Sequence, residues 1–364
     1  MRANKSELLI TLDDYEAAAR ARLSAMAYEY IASGSADDIA LRRNREAFQQ
    51  IEILPRVLAD VSHIDTRVTL FGREHAFPIL LAPTGYHKLF HEEGELETVR
   101  GANLAGATLV GACFATTTFE AMQQVSQNPL WFQLYIQPDR GYTQELLRRV
   151  IAAGCQAICV TVDFPVNAPR DRERRVQFEL PAGMTRANLL GLGAGLASAA
   201  HRIVGRDIYN AVRAANATWK DIEWLRSISS VPLLLKGVAR ADDAQTAVSA
   251  GCDGVIVSNH GGRSLDSVPA SLDLLPAIAD RISDRATILM DGGIRRGTDV
   301  LKALASGADA VMTGRPYLYG LAVHGADGIA EIVNILRTEF EMAMGLAGCA
   351  KLGDIDTSLL RIRS

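Results

Sequence analysis

His260 and Arg263 stand three residues apart in the stretch GVIVSNHGGRSLD, which runs from Gly254 to Asp266. An imidazole is the side chain best suited to move a proton near neutral pH, and a guanidinium can clamp a carboxylate through two parallel hydrogen bonds. Val255, Ile256 and Val257 precede them as an apolar β-branched run that reads as a buried parallel strand. Gly261 and Gly262 follow the histidine and let the backbone take positions a Cβ would forbid. The pair therefore sits just past the C-terminal end of a strand, a rigid support for a reacting centre. A turn with a capping histidine is the plain alternative for an isolated His-Gly-Gly, and the rest of the chain argues against it.

Eight apolar, strand-like runs set the rhythm of the chain: 79–84, 108–113, 131–136, 157–162, 231–236, 254–258, 286–291 and 309–313. Segments of helical periodicity separate them, at 95–106, 143–153, 240–250 and 297–306 among others, and several end in Ala-Gly or Ser-Gly before the next strand. Eight such units predict a (β/α)8 TIM barrel, an α/β fold whose function collects at the C-terminal strand ends. Residues 78–350 form the expected barrel within one domain spanning 1–364, preceded by a helical and extended segment over 1–77. Between the fourth and fifth runs, residues 164–218 read as an active-site lid insertion, with a charge run from Arg170 to Arg175 and a Gly/Ala-rich stretch at 191–200. Most of that charge run is expected to be a solvated face. Thr218 to Asp221 reads as a capping box that restarts a helix.

The strand ends carry the polar residues. Lys236 closes VPLLLK, where a half-buried ammonium is costly unless it faces an anion. Asp163 is placed to hold the His260 ring and raise its pKa. The segments DGGIRRG (Asp291, Gly292, Gly293, Arg295) and TGRP (Gly314, Arg315) combine glycines with arginines, which suits backbone N–H and guanidinium contacts with a phosphate. In barrels the phosphate site commonly follows strands seven and eight. A phosphorylated cofactor or substrate is expected on that ground.

Composition narrows the class. The chain has 364 residues, 48% of them hydrophobic and 22% charged, with a net charge of −4, so nucleic acid is not an expected partner. Five cysteines in mostly apolar runs favour reduced core thiols and a cytoplasmic location over a disulfide framework. No signal peptide, membrane span or peroxisomal address is read in the sequence. Cys155 and Cys159 have a spacing a metal could use, but nothing nearby completes a zinc set; His87 and His91 could share a helix face with Glu92 nearby, and a capping or hydrogen-bonding role after the first strand is the expectation there. Tyr28 and Tyr30 point to different sides of a helix; Tyr317 and Tyr319 read as packing, and Met342 and Met344 as helix core.

VSNHGGRSLD, LLKGV, DGGIRRGTDVLKALASGADAV and TGRP together resemble the FMN-dependent L-2-hydroxy acid oxidase and dehydrogenase family, which includes glycolate, lactate and hydroxymandelate oxidases and mandelate dehydrogenase. The likeness extends from YEYIASGSADD to MGLAGC. It implies that His260 is the active-site base oriented by Asp163, that Arg263 and Arg170 hold the substrate carboxylate with Tyr30, and that Tyr135 bonds the substrate hydroxyl. It places Lys236 near the flavin N1 and O2. It assigns flavin contacts to Pro83, Thr84, Gly85, Gln133, Thr161 and Ser258, and the ribityl and phosphate region to Asp291 through Arg295 with Gly314 and Arg315. FMN is the implied cofactor, a small 2-hydroxy acid the substrate, O2 the electron acceptor and a homotetramer the assembly.

Four positions depart from the glycolate oxidase pattern: Gly85 for alanine, Ala112 for a flavin-contacting serine, Phe114 for tryptophan and Ser264 for glutamine. GYHKLFHEEGE is closer to the hydroxymandelate oxidases, while Tyr30 is kept as in the small-acid enzymes, so larger aromatic acids are the alternative substrates. Two rival readings make different demands. A barrel acting on phosphorylated nucleotides or prenyl diphosphates predicts no His-Gly-Gly-Arg after strand six. A non-catalytic flavin- or phosphate-binding protein predicts decay at His260, Arg263, Arg170 or Lys236, and all four are present.

Overall fold

A computed structural model describes residues 8–190 and 208–363. Eight parallel strands close into a barrel: β1 (Ile79–Leu81), β2 (Leu109–Ala112), β3 (Leu130–Leu134), β4 (Ile158–Thr161), β5 (Leu233–Val238), β6 (Gly254–Val257), β7 (Thr287–Asp291) and β8 (Ala310–Thr313). These are the eight apolar runs with adjusted ends, most of them shorter, β3 starting one residue earlier and β5 running on to Val238, and the (β/α)8 expectation holds. Alternation within each strand divides the core in two. Leu80, Val110, Trp131, Cys159, Leu234, Ile256 and Leu289 fill the barrel interior, while their neighbours Ile79, Leu81, Ile158, Val255 and Val257 pack outward against the helices. A hairpin of two short strands, Val68–Leu70 and Arg73–His75, closes the N-terminal mouth, with Leu70 in the interior cluster and Phe71 against Trp131.

Three helices precede the barrel: α1 (Leu12–Arg22), α2 (Ala25–Ala32) and α3 (Ile39–Gln49). Thr11 and Asp14 form a capping box at the start of α1. The helices α4 (Glu95–Ala105), α5 (Phe119–Val125), α6 (Arg140–Ala152), α7 (Asp171–Arg175), α8 (Trp219–Ile228), α9 (Ala241–Ser249), α10 (Ser271–Ile282), α11 (Gly297–Ala305) and α12 (Arg315–Ala347) follow. Of these, α12 is interrupted at His324 and Gly325, where the backbone leaves helical geometry. The Asp221 carboxylate accepts the Thr218 N–H at 2.7 Å and so starts α8 where the sequence placed it. The Gly/Ala-rich stretch at 191–200 lies outside the described residues.

Two side-chain expectations need correction. Met344 is buried, but Met342 is 60% exposed, because residues two apart point to roughly opposite sides of a helix. The charge run is also less solvated than expected. Arg174 and Arg175 face solvent, but Glu173 is buried and Arg172 pairs with Glu29 of α2 at 2.6 Å and with Asp38 at 3.0 Å. A short helix lying on α2 turns one of its faces inward, and the composition of six residues does not reveal which one. Tyr28 and Tyr30 divide as expected: Tyr28 stacks on Tyr319 in the core, while Tyr30 faces the cleft described below.

Candidate active site

The C-terminal strand ends, the α2 region and the described part of 164–218 enclose a cleft of about 1210 Å3 of open space. His260 sits on its wall in a left-handed backbone conformation (φ +59°), a strained state for a non-glycine residue that surrounding structure must enforce. The enforcement is visible. Ser258 Oγ accepts the His260 N–H at 3.0 Å, Asn259 Oδ1 accepts the Gly262 N–H at 3.0 Å, and the Asn259 amide exchanges two hydrogen bonds with Asn44 of α3. The Asp266 carboxylate accepts backbone N–H groups of Asp37, Ile39 and Ala40, favourable at the N-terminus of α3. The His-Gly-Gly-Arg loop is thus fastened to the N-terminal helices.

His260 Nδ1 lies 2.9 Å from Asp163 Oδ1. Burial pushes the imidazole below its usual pKa, and the opposing pull of Asp163 offsets this only in part. Asp163 does raise the histidine, as the sequence suggested, but the net direction is down. For Asp163, burial acts upward, yet His260 and Lys236 outweigh it and the carboxylate stays below its usual range. An ionised carboxylate only accepts, so Nδ1 carries the proton and Nε2 is left as a free base.

Across the cleft, Arg170 and Arg263 converge. Glu173 Oε1 lies 3.1 Å from Arg263 Nη2 and 3.9 Å from Arg170 Nε, and the Ser33 carbonyl accepts from Arg263 Nη1 at 2.8 Å. Burial, then repulsion from Arg263, pushes Arg170 down to about 9, so it remains charged at neutral pH while lacking a full complement of anion. Tyr30 lies beneath, its ring 5.3 Å from the Arg263 guanidinium and stacked on Phe178. Tyr135 faces the same space, its hydroxyl pushed up to about 12 by burial.

The floor is set by β5 to β8. Lys236 Nζ is 2.9 Å from Asp291 Oδ2 and donates to Ser258 Oγ at 3.0 Å, and Ser258 donates in turn to Asp291 Oδ1 at 2.5 Å. Burial alone would depress the lysine, but Asp291 and Asp163 outweigh it and its pKa is raised. Gln133 on β3 donates to Thr161 Oγ1 on β4 at 3.0 Å, while Pro83, Thr84 and Gly85 follow β1. Thr84 hydrogen-bonds His87 and Tyr317, which gives His87 the role expected of it. At the far end lie Gly292, Gly293, Arg295, Gly314 and Arg315. Gly293 has φ +89°, and a Cβ there would lie 2.0 Å from the Asn44 carbonyl oxygen, so only glycine fits. Burial, then Arg263, pushes Arg315 down to about 10; its guanidinium donates to the Ile31 and Ser33 carbonyls and pairs with no carboxylate among the described residues. Buried cations beside a glycine turn form a cradle for a phosphate, and with the Lys236 floor the cleft fits FMN.

The catalytic, substrate and flavin residues expected from the sequence therefore meet at one cleft, with Asp163 and Ser258 directly behind its wall. Sequence reasoning missed Glu173, Asn44 and Arg213. Only Glu173 carried a local signal, its three-residue spacing from Arg170.

Residues 19–362 match the model of the FMN-dependent dehydrogenase family. The chain belongs to that family. It is 46% identical to an L-lactate oxidase of a Nostoc species over 97% of this chain and 98% of that protein, and 40% identical to spinach glycolate oxidase over 96% and 95%. A crystal structure of mandelate oxidase with benzoyl-formic acid superposes with a TM-score of 0.87 at 37% identity, covering 97% of this chain and 98% of that one. FMN is accordingly the cofactor of this barrel.

Proposed function

We propose that this protein oxidises a small L-2-hydroxy acid of the lactate or glycolate type to the 2-oxo acid. The observation that carries the reading is the opposition of a free imidazole Nε2 on His260 to the Arg170–Arg263 pair across a cleft floored by Lys236. The two guanidiniums, with the Tyr30 hydroxyl, bind the carboxylate; Tyr135 orients the hydroxyl; His260 takes the hydroxyl proton and Asp163 stabilises the resulting imidazolium. Bound FMN would accept the two electrons and the α-hydrogen given up by the substrate carbon, and dioxygen would be the final acceptor, leaving as hydrogen peroxide. Lys236 supplies positive charge where the reduced cofactor becomes negative. Gln133, Thr161, Ser258 and the Pro83–Gly85 backbone hold the ring system. Asp291 to Arg295, Gly314 and Arg315 hold the ribityl phosphate.

A second reading, larger aromatic 2-hydroxy acids, is favoured by Gly85. A methyl group there would lie 3.3 Å from the Tyr30 hydroxyl and 3.2 Å from the Phe114 carbonyl, so glycine keeps open the space beside the carboxylate site.

We take the whole chain as one catalytic unit, since α2 and α7 complete the cleft. A cytoplasmic location is supported by five buried, unpaired cysteines. Val57, Leu58 and Leu346 are exposed apolar residues on two segments joined by the Arg56 N–H to Ala347 carbonyl hydrogen bond, which supports burial in a homotetramer. Among the described residues, no helix is long and apolar enough to cross a membrane. The test is an anaerobic titration of the yellow protein with L-lactate, glycolate and L-mandelate, followed by air. Bleaching that reverses in air supports the oxidase, and the best reductant separates the two substrate readings. Bleaching that persists in air identifies a dehydrogenase, and no bleaching rejects both.

A further inference from the structure

We propose that Arg213 reads the end of the substrate opposite its carboxylate, and that the preferred acids carry a second anionic group on the side chain. The proposal rests on the hydroxy acid reading of the same cleft and adds the substrate class. Arg213 is only 5% exposed and lines the cleft with His260 and Arg170. Its guanidinium carbon stands 4.1 Å from the Phe164 ring centroid and 5.6 Å from that of Tyr135. The Phe164 ring in turn lies 5.1 Å from His260 and 5.5 Å from the Arg170 guanidinium. The aromatic ring beside the base thus lies against two guanidiniums, Arg170 and Arg213.

The two ends differ in how their charge is met. Arg263 has Glu173 and Lys236 has Asp291. Arg213 has no carboxylate partner among the described residues: Nη2 donates to Asn167 Oδ1 at 2.6 Å, and buried Nε has no hydrogen-bond partner among them. A guanidinium stays protonated even where burial weakens it, so a buried cation whose opposing carboxylate, Asp163, is already paired with His260 gains from an arriving anion. A second cavity adjoins it, lined by Tyr135, Phe164, Arg213, Trp219 and Leu235, and gives space for a side chain longer than a methyl group. The carboxylate of lactate or glycolate occupies the Arg170–Arg263 end alone. A 2-hydroxy dicarboxylic acid can engage both ends, with the reacting carbon between them beside His260.

The test measures anaerobic flavin reduction by L-malate and L-2-hydroxyglutarate against L-lactate and L-2-hydroxybutyrate, on FMN-loaded wild type, Arg213→Met and Arg213→Lys. One charge-assisted contact predicts that a dicarboxylate exceeds L-2-hydroxybutyrate in efficiency by about tenfold or more in the wild type. That ratio should collapse in Arg213→Met, mainly through substrate affinity, and largely return in Arg213→Lys, which a packing role would not produce. Reduction by the monocarboxylic acids alone, or an unchanged ratio in Arg213→Met, overturns the proposal and leaves the oxidase reading intact. Reduction by none of the four acids overturns that reading and this one with it.

Discussion

The buried carboxylate of Glu173 lies 3.1 Å from Nη2 of Arg263, and it is the same oxygen that faces Nε of Arg170. One anion therefore lets two guanidiniums stand together without a ligand. Glu173→Gln leaves both cations without a paired carboxylate among the described residues, and removing one partner of a buried pair costs about 3 kcal/mol. The expected result is a lowered melting temperature that recovers in part when a 2-oxo acid is added, because the ligand carboxylate replaces the missing charge. A melting temperature unchanged by the substitution would show that Glu173 is dispensable to the clamp.

A base with a depressed pKa gives the pH dependence its sign. His260 must be neutral to accept a proton, and burial places its folded pKa below the ordinary value of about 6.5. Activity is therefore full above that range and lost as pH falls through the depressed folded value. Asp163 acts against the burial, so Asp163→Asn should move the acid limb of kcat/KM to still lower pH while reducing the plateau by about a hundredfold or more, through loss of ring orientation. A limb that moves to higher pH would contradict the assignment.

Lys236 tests the cofactor end. In Lys236→Met the Asp291 charge stays buried and loses its 2.9 Å partner. Both effects disfavour added negative charge on the flavin. The midpoint potential of bound FMN should become more negative by about 30 mV or more, the equivalent of roughly 1.4 kcal/mol for two electrons. Redox titration with a reference dye reads this without turnover. An unchanged potential would remove Lys236 from the electrostatics of the cofactor.

Gly293→Ala should fail on steric grounds. The new methyl meets the Asn44 carbonyl at 2.0 Å on a backbone with φ +89°, so α3 must move away from β7. Overpacking together with the left-handed conformation costs about 3 kcal/mol. Denaturant unfolding and retained FMN measure the loss, and a stable yellow variant would show that α3 is looser than the packing implies.

What the sequence disclosed follows from how local each signal is. The barrel was legible because eight short apolar runs recur between segments of helical periodicity, and because Lys236 and His260 break two of those runs at one end. The Asn44–Asn259 pair was not legible, since two neutral amides 215 residues apart carry no period or charge signature. Arg213 was passed over for a related reason. Its meaning comes from Phe164 and Tyr135, which approach it only after the chain has travelled through the excursion between β4 and β5. Met342 shows the reverse error, where a residue type suggested burial and the helical turn decided otherwise.

The short turn after α2 holds both ends of the cleft. The Ser33 carbonyl accepts from Arg263 at the acid end and from Arg315 at the phosphate end, and the Gly34 carbonyl accepts from Arg170. An anion that draws Arg315 toward itself pulls on the same peptide groups that aim the other two guanidiniums. Binding of the cofactor is therefore expected to reach the acid clamp through this turn. Apoprotein stripped of FMN would have lost its recognition of the acid as well as its oxidant.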